Sequence, residues 1–164
     1  KDKKIIKRSS ATQKNFKAKF LSKDKNIIRV LKGSQFNYFS KESQKNFFSK
    51  EYTITKLTDR MGMRLEGKVI KNIVSTNIRS EGITKGAIQV PADGQPIVLL
   101  SDHPTIGGYP KIANIISADY HLLAQKTPGE KIFFQNVELQ EAEQLYKEHL
   151  NSISEIIKNI KEIN

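Results

Sequence analysis

Two arginines near the middle of the chain, Arg60 and Arg64, have a side chain that suits anion binding. The sequence uses lysine heavily, with 23 lysines against five arginines. A guanidinium offers two parallel N–H donors that match the two oxygens of a carboxylate, and a lysine ammonium does not. Arg60, Arg64 and, further along, Arg79 are therefore candidates for two-point binding of a carboxylate. The alternative for Asp59-Arg60 is an ordinary surface ion pair.

Gln89 and Gln95 flank a turn of sequence Pro91-Ala92-Asp93-Gly94. A side-chain amide both donates and accepts hydrogen bonds, so this pair of glutamines could recognise the amide of a lactam or a urea. An Asp-Gly turn between two apolar runs is also a common hairpin signal. The stretch therefore predicts a β-hairpin, with the two glutamines as candidate substrate-binding residues.

The segment 101–111 (SDHPTIGGYPK) holds the densest set of reactive side chains. Asp102 beside His103 offers an acid–base pair, and Lys111 offers a positive charge. Two adjacent glycines would permit positive φ angles and let backbone N–H groups line an oxyanion cradle. Neighbouring residues of a strand point to opposite faces, however, so Asp102 and His103 need not act together. A single histidine is also more often structural than catalytic.

Several classes of site are excluded by residues that the chain lacks. It has no cysteine, which rules out disulfides, zinc–thiolate sites, iron–sulfur clusters and a cysteine nucleophile. No Gly-x-Ser-x-Gly motif and no P-loop motif occurs. The other two histidines, His121 and His149, fall in predicted helices and are not clustered, so both are taken as structural and no metal site is expected.

Positive charge is concentrated toward the N-terminal side of the chain. The net charge is +11, with 17 basic and 5 acidic residues in 1–60 against 11 basic and 12 acidic residues in 61–164. A basic arm over residues 1–25 would suit nucleic acid or an anionic membrane. The excess of lysine and isoleucine is also typical of AT-rich coding, and nucleic-acid contacts usually rely on arginine. Nucleic-acid binding therefore stays a minor alternative.

Short apolar runs separated by turn residues predict a mainly β domain over residues 26–137. Ser40 and Ser117 are the predicted N-caps of two short helices, the second running from Ala118 to Gln125. From 138 to 164, apolar residues recur every three or four positions, which predicts an amphipathic helix that packs on its own sheet or on a partner's helix. Residues 1–25 are left as a basic arm or a strand remnant. The predicted strands are 26–31, 52–57, 61–65, 87–90, 97–100, 112–116 and 131–137.

Three stretches, in this order along the chain, resemble the allophanate hydrolase subunit 2 family. They are TDRMGMRLEG at 58–67, GAIQVPADGQPIVLL at 86–100 and SDHPTIGGYPKIA at 101–113. The family includes the C subunit of 5-oxoprolinase, a Kip-type antagonist of a histidine-kinase inhibitor, and one half of the carboxyltransferase domain of urea carboxylase. The resemblance runs from about Ile27 to Val137 and covers the family's C-terminal half. It implies a cyclophilin-like β-barrel, to which the periodicity adds short helices and a long C-terminal α-helix.

The resemblance implies that the chain is the C-terminal part of a 5-oxoprolinase C subunit or biotin-dependent carboxyltransferase-like protein. It would act on a small amide, lactam or urea in complex with a sister subunit of the allophanate hydrolase subunit 1 or Kip-inhibitor type. The sister subunit would use ATP, biotin is an optional cofactor, and none is expected to bind this chain alone. The catalytic residues would be Asp102, Lys111 and His103, and the substrate-binding residues Arg60, Arg64, Gln89, Gln95, Thr105, Gly107, Gly108 and Tyr109.

Two departures from the family pattern keep other functions open. The family's usual Asp-Arg pair is Asp102-His103 here, and its N-terminal half has no counterpart in this sequence. The alternatives are a non-catalytic regulator that binds a Kip-type histidine-kinase inhibitor, and an inactive truncated remnant. The start of the chain, Lys1–Lys7, is charged and no apolar run reaches the ~20 residues of a membrane span, so a cytoplasmic protein is expected.

Overall fold

The computed structural model describes residues 26–161, and most of its elements are β-strands. The predicted basic arm, residues 1–25, lies outside the described residues. The strands are β1 Ile27–Lys32, β2 Tyr52–Thr58, β3 Gly62–Gly67, β4 Glu81–Gly82, β5 Ala87–Gln89, β6 Ile97–Leu99, β7 Ile106–Gly107, β8 Lys111–Ile115 and β9 Lys131–Asn136. The helices are α1 Lys41–Ser49, α2 Tyr120–Ala124 and α3 Leu139–Lys161, with one 3-10 turn at Phe36–Tyr38.

Seven of these strands close into a barrel in the order β1-β8-β5-β6-β3-β2-β9. β9 returns to lie parallel to β1, with Phe134 opposite Ile28, and the other neighbouring strands are antiparallel. The two remaining strands, β4 and β7, form a small separate sheet in which Glu81 lies opposite Gly107. The expected β-barrel with a long C-terminal helix is confirmed.

The barrel core is built by the alternation of side chains along each strand. In β9, Ile132 and Phe134 are buried, whereas Lys131 and Phe133 are exposed. Phe47 of α1 stacks on Phe134 with their ring centroids 4.7 Å apart, which anchors the helix to this strand. Within the described residues, no helix combines the length and the apolar character needed to cross a bilayer.

The long helix α3 packs on the barrel near its start. Ala142 and Leu145 contact the small cluster around Ile116 and Val137. Further along, three of its large apolar side chains are exposed, whereas Ile153 and Ile156 are half-buried. Both sequence-based alternatives for this helix, packing on its own sheet and contact with a partner, therefore stay open for different parts of it. The exposed side chains are Tyr146, Leu150 and Ile157.

The start of α2 differs from the prediction, because its N-cap position is Asp119 and not Ser117. The Asp119 side chain makes no capping hydrogen bond. Its carboxylate accepts hydrogen bonds from the backbone N–H of Arg29 and from Arg29 Nε, both at 2.8 Å, and a third from Nη2. A buried carboxylate needs such partners more than a short helix needs a cap. Long-range pairing therefore decides how this segment begins.

The predicted hairpin turn at residues 91–94 is present and is held from two sides. Gly94 has a φ of +72°, and its N–H donates to the carbonyl of Pro91 at 3.0 Å. Its own carbonyl accepts from the N–H of Ile70 at 3.0 Å. A Cβ on Gly94 would lie 2.6 Å from Val69 Cγ1 and 2.8 Å from the Ile70 carbonyl oxygen. This turn therefore needs glycine for its backbone angle and for its space.

Gly94→Ala is expected to lower the free energy of unfolding by about 1–3 kcal/mol more than Gly129→Ala does. Both glycines have positive φ, so both substitutions strain the backbone, but a Cβ on Gly129 meets nothing within 4 Å. The difference therefore measures mainly the crowding at Gly94. Urea denaturation of the two variants checks it, and equal destabilisation would contradict the packing described for this turn.

His121 and His149 were expected to be unclustered, but they stack where α2 meets α3. The rings of His121 and His149 lie with their centroids 4.9 Å apart and nearly parallel. Burial of the His121 ring, followed by the neighbouring His149, lowers the pKa of His121 below its usual 6.5. The folded protein therefore resists protonation of His121 more than the unfolded chain does.

The stability of the fold is consequently expected to fall at mildly acidic pH. Above about pH 6.5 His121 is neutral in both states and its contribution is complete. As the pH falls below that value the unfolded chain takes up a proton first, so the free energy of unfolding decreases until the folded His121 also titrates. Unfolding midpoints from pH 7.5 to 5 measure the effect. His121→Phe is expected to reduce the slope, and an unchanged slope would contradict the assignment.

Candidate functional site

Two polar residues on neighbouring strands, Gln89 of β5 and Lys111 of β8, are buried although they do not belong to the barrel core. They are partners across the strand ladder, and the residues next to them, Ile88 and Ile112, are core residues. The register of this ladder shifts between Ile88 and Gln89. The contacts of Gln89 with Gly107 and of Lys111 with Glu81 place both side chains on the outer side, which faces the β4–β7 sheet. The β4–β7 sheet covers this outer face and leaves Gln89 only 6% exposed and Lys111 only 7% exposed.

Lys111 is held by two residues from distant parts of the chain. Its Nζ forms a close ion pair with Glu81 Oε1. The same carboxylate oxygen accepts a hydrogen bond from Gln35 Nε2 at 2.7 Å, and Gln35 Oε1 accepts from the Lys111 backbone N–H at 3.2 Å. We call the four side chains of Gln35, Glu81, Gln89 and Lys111 the Lys111 cluster.

Gln35 reaches the cluster because the chain after β1 runs directly against β8. The N–H of Gly33 donates to the carbonyl of Ile112 at 2.9 Å. A Cβ on Gly33 would lie 2.3 Å from the carbonyl oxygen of Lys111, which is too close for any side chain. A residue without a side chain at position 33 is therefore what lets the following turn bring Gln35 beside Lys111.

The cluster contains one cation and one anion in direct contact. The hydrogen bond from Lys111, followed by that from Gln35, lowers the pKa of Glu81 below its usual 4.5. A lysine ammonium has three N–H donors, and the ion pair to Glu81 uses one of them. The arrangement therefore leaves donors on Lys111 for a further acceptor.

Gln89 contributes a buried donor without a partner. Its Nε2 atom is buried and has no hydrogen bond. A Cβ on Gly107 would lie 2.7 Å from this nitrogen, so the glycine makes room for the Gln89 amide. The positive φ angles expected at Gly107 and Gly108 are not seen. Among the described glycines, only Gly86, Gly94 and Gly129 have a positive φ. These two glycines act by having no side chain.

The rest of the 101–111 segment lies beside the cluster or away from it. Gly108 accepts a hydrogen bond through its carbonyl from the N–H of Ile78 at 2.8 Å, and Tyr109, two residues before Lys111, is partly exposed. Thr105 is exposed, and its carbonyl accepts from the N–H of Ile83 at 3.1 Å. These contacts hold residues 78–83 in place, and Glu81 lies between them.

Asp102 and His103 are not joined as an acid–base pair. The Asp102 carboxylate forms an ion pair with Arg60 Nε at 2.8 Å. His103 donates from Nδ1 to the carbonyl of Pro104 at 2.6 Å. Each group is therefore engaged with a different neighbour, and their proposed catalytic roles stay predictions.

The two arginines of the 58–67 stretch lie apart and each already faces a carboxylate. Arg60 is highly exposed beside Asp102, whereas Arg64 Nη1 lies 2.7 Å from Asp93 Oδ2. They sit toward opposite ends of the β3–β6 ladder, in which Gly62 faces Leu99 and Arg64 faces Ile97. A single clamp made from both side chains is therefore not present, and a role in substrate binding would require each to leave its partner.

Gln95 is engaged with the backbone of the neighbouring strand. Its Oε1 accepts from the N–H of Gly67 at 2.9 Å, and its Nε2 donates to the carbonyl of Gly67 at 3.3 Å. This pair of hydrogen bonds continues the pairing with β3 beyond the N-terminal end of β6. Of the two glutamines expected to recognise an amide, Gln89 is the one whose amide has a donor free.

The structure thus brings together Gln89, Gly107 and Lys111 from the predicted site residues and adds Glu81 and Gln35. The sequence carried one signal for Glu81, since it is the only acidic residue between Glu66 and Asp93. No comparable signal marks Gln35. Among the residues that the structure describes, no group of three or more histidine, aspartate or glutamate side chains could hold a metal ion.

The family model of the carboxyltransferase domain, subdomain A and B, matches residues 2–136 of the chain. The chain belongs to this carboxyltransferase domain family. The match confirms the resemblance drawn from the three sequence stretches. It also includes residues 2–25, which precede the described part of the structure.

Two 5-oxoprolinase C subunits support the same assignment of the chain to the carboxyltransferase domain family. The 5-oxoprolinase C subunit of Haemophilus influenzae is 39% identical over 140 residues, which is 85% of this chain and 45% of that protein. That of Escherichia coli is 41% identical over 117 residues, which is 71% of this chain and 38% of that protein. The chain therefore spans less than half the length of these relatives.

A solved structure shares the fold of this carboxyltransferase domain. The crystal structure of the Kluyveromyces lactis urea amidolyase superposes with a TM-score of 0.75 at 28% identity. The superposition covers 81% of this chain and 9% of that much longer protein. The chain is thus homologous to the 5-oxoprolinase C subunit and to a part of urea amidolyase.

Proposed function

We propose that the chain is the C-terminal part of a 5-oxoprolinase C subunit or carboxyltransferase-like protein. In this proposal it acts on a small amide, lactam or urea in complex with a sister subunit. The observation that carries the proposal is the Lys111 cluster, which combines a buried cation and a free amide donor in a chain 39–41% identical to 5-oxoprolinase C subunits.

The chemistry of these substrates explains why such a cluster would be useful. A lactam, a urea and the ureido group of biotin all contain a planar N–C=O group. Hydrolysis of that group, or carboxyl transfer to it, develops negative charge on an oxygen, and a preorganised donor or cation in a water-poor site stabilises that charge. Lys111 is the cation in this proposal, and Tyr109, two residues before it, offers a phenol.

Other components of the reaction are assigned outside this chain. ATP is bound and used by the sister subunit in this proposal, because the sequence has no P-loop. The sister subunit is of the allophanate hydrolase subunit 1 or Kip-inhibitor type. Biotin remains an optional cofactor. Gln89 Nε2 is buried without a hydrogen-bond acceptor, and the ureido carbonyl of biotin is such an acceptor.

A substrate panel tests the proposal. The chain is combined with the sister subunits, and 5-oxoproline, urea and a urea analogue are each supplied with ATP. We expect one of them to be consumed together with ATP. A complex that assembles and consumes none of them, with and without biotin and bicarbonate, would overturn the proposal.

A second candidate function is that of a non-catalytic regulator bound to a Kip-type histidine-kinase inhibitor. Two observations favour it: Asp102 and His103 are engaged with separate neighbours, and α3 exposes the apolar side chains of Tyr146, Leu150 and Ile157. In that case the chain would bind its partner at full affinity while the complex showed no turnover. Leu150→Asp would then weaken binding.

A further inference from the structure

We propose that Gln89 Nε2 and Lys111 Nζ bind one carbonyl oxygen of the substrate, and that Glu81 and Gln35 are positioning residues for Lys111. This inference deepens the proposed function and rests on it for the identity of the substrate. It adds Glu81 and Gln35 to the site and gives Gln89 a specific acceptor. Its structural basis is the Lys111 cluster together with Gly107.

The unpaired Gln89 donor is the observation that points to a ligand. Gln89 is 6% exposed, and its Nε2 is buried without a hydrogen bond. Natural proteins rarely leave a buried donor unsatisfied without cause, because desolvation of the donor is then uncompensated. An acceptor that arrives with the ligand would recover this cost. The amide packs directly against Gly107, where any side chain would collide with Nε2.

The direction of Lys111 is fixed by a closed ring of hydrogen bonds. The Lys111 backbone N–H donates to Gln35 Oε1, Gln35 Nε2 donates to Glu81 Oε1, and the same oxygen receives Lys111 Nζ. A lysine side chain is long and flexible, and an unheld ammonium would sample many positions. The ring ties both ends of Lys111 to one carboxylate. Its remaining donors are therefore held close to Glu81, whose strand partner Gly107 lies against Gln89 Nε2.

The ligand group that suits these donors is the carbonyl oxygen of a planar amide. Such an oxygen has two lone pairs, so it can accept one hydrogen bond from an amide N–H and one from an ammonium. Gln89 and Lys111 are cross-strand partners beside a register shift. Gln89 Nε2 lies against Gly107, and Lys111 Nζ pairs with Glu81, the strand partner of Gly107, so both donors belong to one neighbourhood. A lactam, a urea or a ureido group supplies this oxygen. A carboxylate could supply a similar one, so the experiment must separate the two.

Three small probes make that separation on the full chain. 2-Pyrrolidinone has the lactam carbonyl without a carboxylate, proline has the carboxylate without the lactam carbonyl, and 5-oxoproline has both. The side-chain amide signal of Gln89 in a ¹⁵N–¹H spectrum, assigned from its loss in Gln89→Leu, is expected to move with 2-pyrrolidinone and 5-oxoproline and not with proline. Movement with proline alone, or with none of the probes at saturating concentration, would overturn the inference.

Kinetics of the assembled complex test the positioning role. Gln89→Leu is expected to lower kcat/KM by about 10²-fold, as loss of one oxyanion donor does. Gln135→Leu, on the exposed side of β9, is the matched control and should leave kcat/KM unchanged. Glu81→Gln removes the charge that holds the ammonium in place, so kcat is expected to fall while KM changes little. Glu81→Asp keeps that charge and should retain most of the wild-type kcat.

The outcomes separate this inference from the proposed function. A wild-type complex that turns over 5-oxoproline, together with normal kcat and KM in both Gln89→Leu and Glu81→Gln, would overturn the inference alone. A complex without turnover would overturn the proposed function, and the spectra with 2-pyrrolidinone would still decide whether the cluster binds a lactam carbonyl.

Discussion

Replacing Lys111 by methionine is expected to lower the turnover number of the assembled complex by about 10²- to 10⁴-fold. Methionine keeps most of the apolar stem and removes the ammonium that would face the developing negative charge. Folding should survive, because the Glu81 side chain is partly exposed and keeps its hydrogen bond from Gln35. Steady-state kinetics with the substrate identified by the panel measure the effect.

Lys126 provides a closely matched control for this substitution. Its side chain is as buried as that of Lys111, and it pairs with a partly exposed carboxylate, Glu130, at 3.0 Å. It does not belong to the Lys111 cluster. Lys126→Met should therefore cost stability in the same way and leave turnover unchanged. Equal turnover losses in the two variants, or normal turnover in Lys111→Met, would remove Lys111 from the catalytic account.

Replacing Asp119 by alanine is expected to lower the free energy of unfolding by about 3–5 kcal/mol. The Asp119 side chain is almost fully buried, and it accepts three hydrogen bonds from Arg29. Its removal leaves the Arg29 guanidinium, itself largely covered, without its counter-charge and leaves a backbone N–H unpaired. The pair joins β1 to the start of α2, so its loss also frees that connection.

The exposed pair between Lys131 and Glu51 is the comparison for Asp119. Both side chains of that pair are about half exposed, so Glu51→Ala should cost less than about 1 kcal/mol. Urea denaturation at pH 7.5 measures both variants. Similar small losses would mean that the Arg29–Asp119 pair is as solvent-screened as a surface pair, contrary to the burial seen here.

Much of the barrel was predictable because its strands carry a regular signal. The alternation in Tyr52–Thr58 and the apolar runs of β5, β6 and β8 predicted strands at those places, and Ser40 was correctly predicted as the cap of α1. The strands β4 and β7 were not predicted, since each has two residues and no periodicity can be read from so short a segment.

The site residues were predictable only where the residue type itself indicates a chemical role. Lys111, Gln89 and Gly107 were singled out from the sequence, and the structure brings them together. Glu81 and Gln35 were missed because their role comes from contacts with a residue 30 and 76 positions away, which no local pattern records. For the same reason the sequence predicted Ser117 as the cap of α2, since it could not show that Asp119 is bound to Arg29.

The measurement that tests the central claim most directly is ATP-dependent release of glutamate from 5-oxoproline. It is made with this chain and its sister subunits together, and again with each component omitted in turn. The account predicts release by the complete mixture and loss of release when this chain alone is left out. Two results would contradict a catalytic role for this carboxyltransferase domain. One is glutamate release at the full rate without this chain, and the other is no glutamate release from a completely assembled complex.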